Sequence, residues 1–416
     1  MCAMGEVKRQ LGVGGAVMVG LASMIGAGVF FAWAPAAEAA GGLLLVALLV
    51  AAVVAVLNAL STAQLAMAHP VSGGSYAYAR ATVGPWTGFA AGWLFLCGKT
   101  ASAGAIALIA GSYLWPEQAR LVAVVAVLVL ASINAAGIRS TATVSTVIVV
   151  VVLAGLAVTL LMIAAQAVPQ QLAPIVSAPS DAGPWGILQA AALLFFCFAG
   201  YARMATLGGE VRDPRRTLPR AIIAGLAVAL VIYFVVGGTL MSVLGPQGLA
   251  GSVSPLADAV GGGSGWQLLI RVVAGVACLG SLAGILAGLS RTALAMADGG
   301  DLPGPLARVS ERTHAPIVAE ATLAVIAVAG ILFLDPARLV GFSSCAVLAY
   351  YAIAHLSALR QPAGERWLPR TLQVLGVAGC LLLAFSLPLT AIVVTAAVLA
   401  LGFALRALRQ RRASRR

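Results

Sequence analysis

Charge is what this chain has least of. Charged side chains make up 9% of its 416 residues, and only 13 of those are acidic. A soluble domain carries about 25% charge, so the usual water-facing surface is excluded. No hydrophilic stretch is long enough to form a soluble domain of its own. Histidine and cysteine are scarce and scattered. His69, His314 and His355 sit at or near the ends of apolar runs without acidic neighbours. Cys2, Cys97, Cys197, Cys278, Cys345 and Cys380 show neither metal-ligand spacing nor a pairing that suggests a disulfide. Metal binding and a cofactor are therefore not expected. A cleavable signal pattern is missing too, because the first apolar run is too long and reads as a membrane span.

Apolar residues are abundant. They make up 61% of the chain, and the mean hydropathy is +1.03. That balance specifies an all-α integral membrane protein. About twelve transmembrane helices are legible, near 11–37, 42–67, 86–113, 119–137, 143–165, 185–208, 220–244, 267–294, 317–334, 338–359, 371–387 and 389–406. The last two are separated only weakly, around Pro388, which leaves eleven spans as the alternative. The longest connections lie near 167–184, 245–265 and 297–316 and are rich in Gly, Pro, Ser and Ala.

The net charge of +12 follows from topology. Lys8, Arg9, Arg80, Arg139, Arg212, Arg215, Arg216, Arg220, Arg308, Arg312, Arg360, Arg366 and Arg370 fall in the N-terminal segment or in even-numbered loops. So does the basic tail at 407–416. The odd-numbered loops carry little beyond Arg120 and Arg338. The positive-inside rule then puts both termini in the cytoplasm of a multi-pass protein of the plasma (inner) membrane. This accounts for the basic tail without nucleic acid; a specific contact with anionic membrane lipid is the other reading.

The first span is interrupted at mid-depth by Ser23-Met24-Ile25-Gly26-Ala27-Gly28. Glycine loosens a helix where no water rescues a freed amide, so such a break must be buried in protein or line a cavity. A second interruption, Phe198-Ala199-Gly200-Tyr201, comes about five spans later. Broken spans at matching places in two halves of a chain point to a transporter's binding site. They imply a five-plus-five inverted repeat with discontinuous helices 1 and 6, followed by two C-terminal helices. The boundaries are about 11–165, 185–359 and 371–406, within a single transporter domain over 1–416.

Five stretches, in this order, resemble the amino acid–polyamine–organocation (APC) superfamily of permeases. They are Gly20 to Phe30, with its small-residue break; Pro70-Val71-Ser72-Gly73-Gly74-Ser75-Tyr76 after span two; Phe196 to Tyr201; Glu210-Val211-Arg212-Asp213-Pro214-Arg215-Arg216-Thr217-Leu218-Pro219-Arg220; and Asp298-Gly299-Gly300-Asp301-Leu302-Pro303. The matches run over about three quarters of the chain. The resemblance implies that the backbone of an amino-acid substrate docks at the two breaks. Helix ends there leave amides near Gly26, Ala27, Gly28 and Val29 for a carboxylate, and carbonyls near Ala22, Ser23, Phe196 and Phe198 for an ammonium group. The plainer alternative is that Gly26 and Gly28 only allow close helix packing. The candidate substrate-binding residues are Ser23, Ile25, Gly26, Ala27, Gly28, Phe196, Phe198, Ala199, Gly200 and Ala202. In the family, the position of Phe196 is an aromatic lid; the alternative is an ordinary core or lipid-facing phenylalanine.

Lys99, Arg203 and Glu210 are the coupling or gating candidates. Lys99 lies in the middle of span three. Gly98-Lys99-Thr100 superficially matches a phosphate loop, but residue 93 is Trp where that motif needs glycine, and the context is a membrane helix. An intramembrane lysine is costly and usually functional. It can titrate to couple protons, stand in for a sodium ion, meet the substrate carboxylate, or pair structurally with carbonyls. Some relatives place a lysine in span five instead; the matching position here is near Val152. Arg203 lies about one turn beyond Gly200, either facing the inner vestibule, with Glu210 and Asp213 as gate partners, or snorkelling to the interface. Relatives carrying arginine-like substrates place an acid just after the sixth-span glycine; here it is Ala202. No Asp or Glu lies at mid-depth, since Glu38, Asp258 and Asp335 are at the outer side and Glu320 starts span nine.

The reading is a secondary active carrier of a neutral amino acid, with an acidic one as the alternative. It works by alternating access, coupled to protons or by exchange. An exporter or an amino acid/polyamine antiporter is the second reading. A membrane enzyme needs clustered His, Asp or Cys, which the sequence does not show, and a channel or receptor does not need two broken helices. Substrate side chain, direction, coupling ion and oligomeric state stay open at this level.

Overall fold

The computed structural model describes residues 11–68, 74–137, 142–166, 173–176, 180–181, 183–201, 204, 211–261 and 265–413. Among them the chain is helical. Nine helices are long and apolar enough to cross a membrane, and Val13–Met24, Ile317–Phe333 and Arg370–Ser386 are shorter apolar helices. Together they occupy the twelve expected spans.

Span one is Val13–Met24 continued by Ala27–Phe31 and Trp33–Ala40. Spans two to five are Leu44–Ala68, Pro85–Leu114, Ala119–Ala135 and Ala142–Gln166. Span six is Gly183–Phe198, ending in a tight turn over Ala199–Tyr201. Span seven, Pro214–Ala250, is kinked at Gly245, whose φ is +64°. Spans eight to twelve are Gly265–Asp298, Ile317–Phe333, Pro336–Arg360, Arg370–Ser386 and Leu389–Ala413.

Local chemistry sets the ends of these helices. Pro85, Pro214 and Pro336 open spans three, seven and ten, where a missing N–H costs nothing. The Asp335 carboxylate caps span ten by accepting from the Arg338 amide at 2.9 Å. Leu387 is extended (φ −67°, ψ 162°) because Pro388 follows it. That resolves spans eleven and twelve as separate helices. In the Val211 to Arg220 motif, Asp213 takes the left-handed region (φ 43°), and its carbonyl accepts from the amides of Arg216 and Thr217. The Arg212 amide donates to the Leu11 carbonyl at 2.9 Å, tying this motif to the start of span one.

Two short helices lie in connections where only loops were expected. Ser75–Thr82 follows span two, and Pro255–Val260 precedes span eight. Each is too short for hydropathy to mark it; tertiary packing of Tyr76, Tyr78, Leu256 and Val260 holds them in place.

Span three is the hub. Of an apolar 18-residue stretch of it, 89% is buried, against 22% for such stretches of spans four and twelve at the periphery. It packs on spans eight and ten, while span one packs on spans five, seven and eight. The two broken helices thereby lie inside the bundle rather than against lipid.

Candidate substrate site

The first break follows from two residues. Ile25 leaves the helical region (φ −85°, ψ 69°) after its amide reaches the Leu21 carbonyl, and Gly26 is at φ −129°, ψ −142°. The helix resumes at Ala27. The amides of Gly26, Ala27 and Gly28 consequently have no hydrogen-bond acceptor among the described residues. In a membrane interior such donors need a partner.

The second break is clamped to the first. The Tyr233 hydroxyl of span seven lies 2.8 Å from the carbonyl oxygens of both Met24 and Cys197. Its single O–H is shared between the two acceptors. Phe198 packs edge-on against the same tyrosine ring, at 5.1 Å. Backbones also approach closely. A Cβ on Gly200 would stand 2.2 Å from the Ser23 carbonyl oxygen, and one on Gly28 would stand 2.8 Å from Cys197 Cα. A Cβ on Gly26 would meet Ser281 of span eight at 2.7 Å. The glycines therefore do pack helices together, as the plainer reading had it, and three of them also line a cavity.

That cavity has a volume of about 180 Å3. Ser23, Gly26, Ala27, Gly28, Phe196, Ala199 and Gly200 line it, together with Lys99. Ile25 and Phe198 are buried beside it but do not line it. Ala202, Arg203 and Glu210 lie outside the described residues. Apolar wall comes from Phe95, Ile106, Phe196 and Ile285, and polar groups from Ser102, Ser281, Thr292 and Tyr350. No carboxylate lines it among the described residues.

Lys99 is 7% exposed, and its Nζ donates to the Ala199 carbonyl oxygen at 3.3 Å. No carboxylate pairs with it among the described residues. Its ammonium therefore reaches the second break directly, at the turn where span six stops.

The cavity continues along span eight from Ser281 through Gly284 and Gly288 to Arg291, which is exposed. Arg291 lies toward the arginine-rich end of the bundle. At the opposite end the first span is closed over. The Tyr113 hydroxyl donates to the Phe30 carbonyl at 2.8 Å, and the two rings meet edge-on at 5.7 Å.

Tyr76 of the short helix Ser75–Thr82 lines the cavity and also leaves it. Its hydroxyl donates to Asp301 at 3.0 Å, and Arg80 pairs with the same carboxylate at 2.8 Å. Burial, and then the neighbouring Asp301 charge, push the Tyr76 phenol up, so it stays protonated and a donor.

Sequence reasoning missed Tyr233, Ser281, Tyr350, Tyr76 and Arg291. A lone polar residue inside an apolar span was the available signal for Tyr233, Ser281 and Arg291. Which of them share one cavity depends on contacts between distant spans.

A sequence model for a family described as amino acid permease matches residues 11–407. An uncharacterized transporter of Mycobacterium tuberculosis is 47% identical over 401 residues, covering 96% of this chain and 91% of its own length. The branched-chain amino acid permease BcaP of Bacillus subtilis is 27% identical over 349 residues, covering 76% of this chain and 72% of its own. The chloroplastic cationic amino acid transporter 7 of Arabidopsis thaliana is 25% identical over 386 residues, covering 86% and 66%.

Proposed function

We propose that this chain, which belongs to the amino acid permease family, carries a neutral amino acid with an apolar side chain across the plasma membrane by alternating access. The observation that carries the reading is the pairing of two broken helices around one cavity, lined by the Ala199–Gly200 turn and by Gly26, Ala27 and Gly28, whose amides have no acceptor among the described residues. The substrate carboxylate docks on the amides of span one, and its ammonium group on carbonyls at the breaks, among them that of Ser23.

The charge lining the cavity favours a neutral side chain. Lys99 and Arg291 both border it, and no described carboxylate does. A second substrate cation would meet the Lys99 charge, with no carboxylate among the described lining residues to offset it. Phe95, Ile106, Phe196 and Ile285 supply apolar contact instead. The branched-chain permease among the relatives agrees with this reading; the cationic transporters do not. An acidic substrate is the second reading, favoured by the same two cations.

Lys99 is the coupling group in this proposal, and proton movement through it accompanies transport. Spans one to five and six to ten form the two inverted repeats, which places the breaks at equivalent positions. The arginine-rich end faces the cytoplasm. The cavity's extension to Arg291, with the Phe30–Tyr113 end closed, then corresponds to a state opening inward.

The test is uptake of radiolabelled leucine into proteoliposomes under an imposed proton gradient. Saturable uptake, competed by neutral apolar amino acids and abolished by dissipating the gradient, supports the proposal. Gradient-independent exchange would retain the carrier and remove the coupling role from Lys99.

A further inference from the structure

A second, larger cavity of about 1650 Å3 lies away from the substrate site, between span twelve and spans three, nine and ten. Its middle is apolar. One wall is the face of span twelve that repeats at Ala391, Val394, Val398, Gly402 and Leu405. That helical spacing turns a continuous stripe toward the groove. The helices close on each other where Trp93 donates to the Val398 carbonyl at 2.8 Å.

The groove's arginine-rich end is charged. Asp301 sits there, paired with Arg80 and Arg406, each at 2.8 Å. Arg409 follows one turn after Arg406. One carboxylate is therefore shared by Arg80 and Arg406, while Arg409 lines the same groove, so that positive charge exceeds negative at this end. Two guanidinium nitrogens show where it is uncompensated. Arg406 Nε and Arg409 Nη1 are buried and have no hydrogen-bond partner among the described residues. The Arg406 side chain is only 5% exposed, held over the Trp86 and Phe89 rings at 4.5 and 5.0 Å. A buried guanidinium donor without an acceptor is costly, and a phosphate oxygen is the acceptor its geometry matches.

We infer that this groove binds an anionic glycerophospholipid from the arginine-rich leaflet. Its phosphate meets Arg409 and the free Arg406 Nε, and its acyl chains lie along Leu405, Val398 and Val394. Acyl chains satisfy the apolar wall, and the headgroup charge satisfies the excess cation. A zwitterionic lipid fills the wall but leaves the charge. A second copy of the chain fits less well. A two-fold axis along the membrane normal sets the Arg406 and Arg409 ends of both copies at the same depth, where they repel.

The experiment compares the full-length protein with Arg409→Gln and with Arg312→Gln, an exposed arginine outside the groove. Each is purified in mild detergent. Retained phospholipid is identified by native mass spectrometry, and melting is followed in mixed micelles containing phosphatidylglycerol or phosphatidylcholine. The expected result is retained phosphatidylglycerol, a melting increase with it alone, and a several-fold loss of both in Arg409→Gln but not in Arg312→Gln. Val394→Trp fills the acyl wall and should lose the lipid while keeping the arginines; it also reads the groove if Arg409→Gln proves polydisperse. Equal stabilisation by the two lipids, or retention unchanged in Arg409→Gln and in Val394→Trp, overturns the proposal. So does a Val394→Cys disulfide dimer forming in membranes, which would make the groove an interface between copies.

Discussion

The Lys99 ammonium nitrogen lies 3.3 Å from the Ala199 carbonyl oxygen, joining the middle of span three to the turn that interrupts span six. Among the described residues a carbonyl dipole is what holds this buried cation, which compensates it weakly. In the proposed mechanism, substrate binding or a proton change at this point would act on the turn where span six stops. The Tyr233 hydroxyl holds the other side, between the Met24 and Cys197 carbonyls. The two breaks are thus one structural unit reached from spans three and seven.

Lys99→Ala should reduce uptake about tenfold or more, equal to about 1.4 kcal/mol of lost interaction, and should flatten the dependence of uptake on pH. Proteoliposome uptake measured across a pH series checks both. Unchanged rate and unchanged pH profile would remove Lys99 from the mechanism.

Tyr233→Phe should loosen the two breaks without creating a steric clash. It leaves two buried carbonyls sharing no donor, a cost of about 1–3 kcal/mol. Melting of the detergent-purified variant should fall accordingly, and uptake should fall with it. A variant that melts normally and transports normally would show that the clamp is dispensable.

Two glycines that border the same cavity should behave differently. Gly200→Ala sets a methyl 2.2 Å from the Ser23 carbonyl oxygen, and overpacking of this kind costs about 1–3 kcal/mol. A methyl on Gly284 would meet no atom within 4 Å, so Gly284→Ala should fold normally and narrow the cavity. The expected outcome is a lower melting temperature for the first and, for the second, a higher KM that grows with the bulk of the substrate side chain.

Asp301→Asn should destabilise strongly, because it leaves Arg406 and Arg80 facing each other without their shared carboxylate. Breaking a buried pair costs about 3–5 kcal/mol. Arg80→Ala should cost less, since its side chain is 39% exposed against 5% for Arg406. Thermal melting of both variants gives the order.

The spans were legible because hydrophobic length is a local property. Helix boundaries near Pro85, Pro214 and Pro336 announce themselves in the chain, and the breaks announce themselves through glycine at mid-depth. Pro388 also carried the signal that separates spans eleven and twelve, although only the extended Leu387 makes the separation plain. Long-range pairing was not legible. His355, read as a residue near a span end, is fully buried, with Nε2 2.6 Å from Asn58 Oδ1 and Nδ1 2.9 Å from Ser61 Oγ. Glu320, read as the start of span nine, is 4% exposed and accepts from Asn134 of span four at 3.1 Å. Tyr233 stands out in the sequence only as a lone polar residue in an apolar span, and nothing near it indicates that its hydroxyl reaches two other spans.

Competition for leucine uptake by a panel of neutral, acidic and cationic amino acids tests the substrate site most directly, using purified protein in proteoliposomes. The broken-helix cavity, bordered by Lys99 and Arg291 with no described carboxylate, predicts strong competition by valine, isoleucine and methionine and little by lysine or arginine. Competition by arginine as strong as by isoleucine would contradict it.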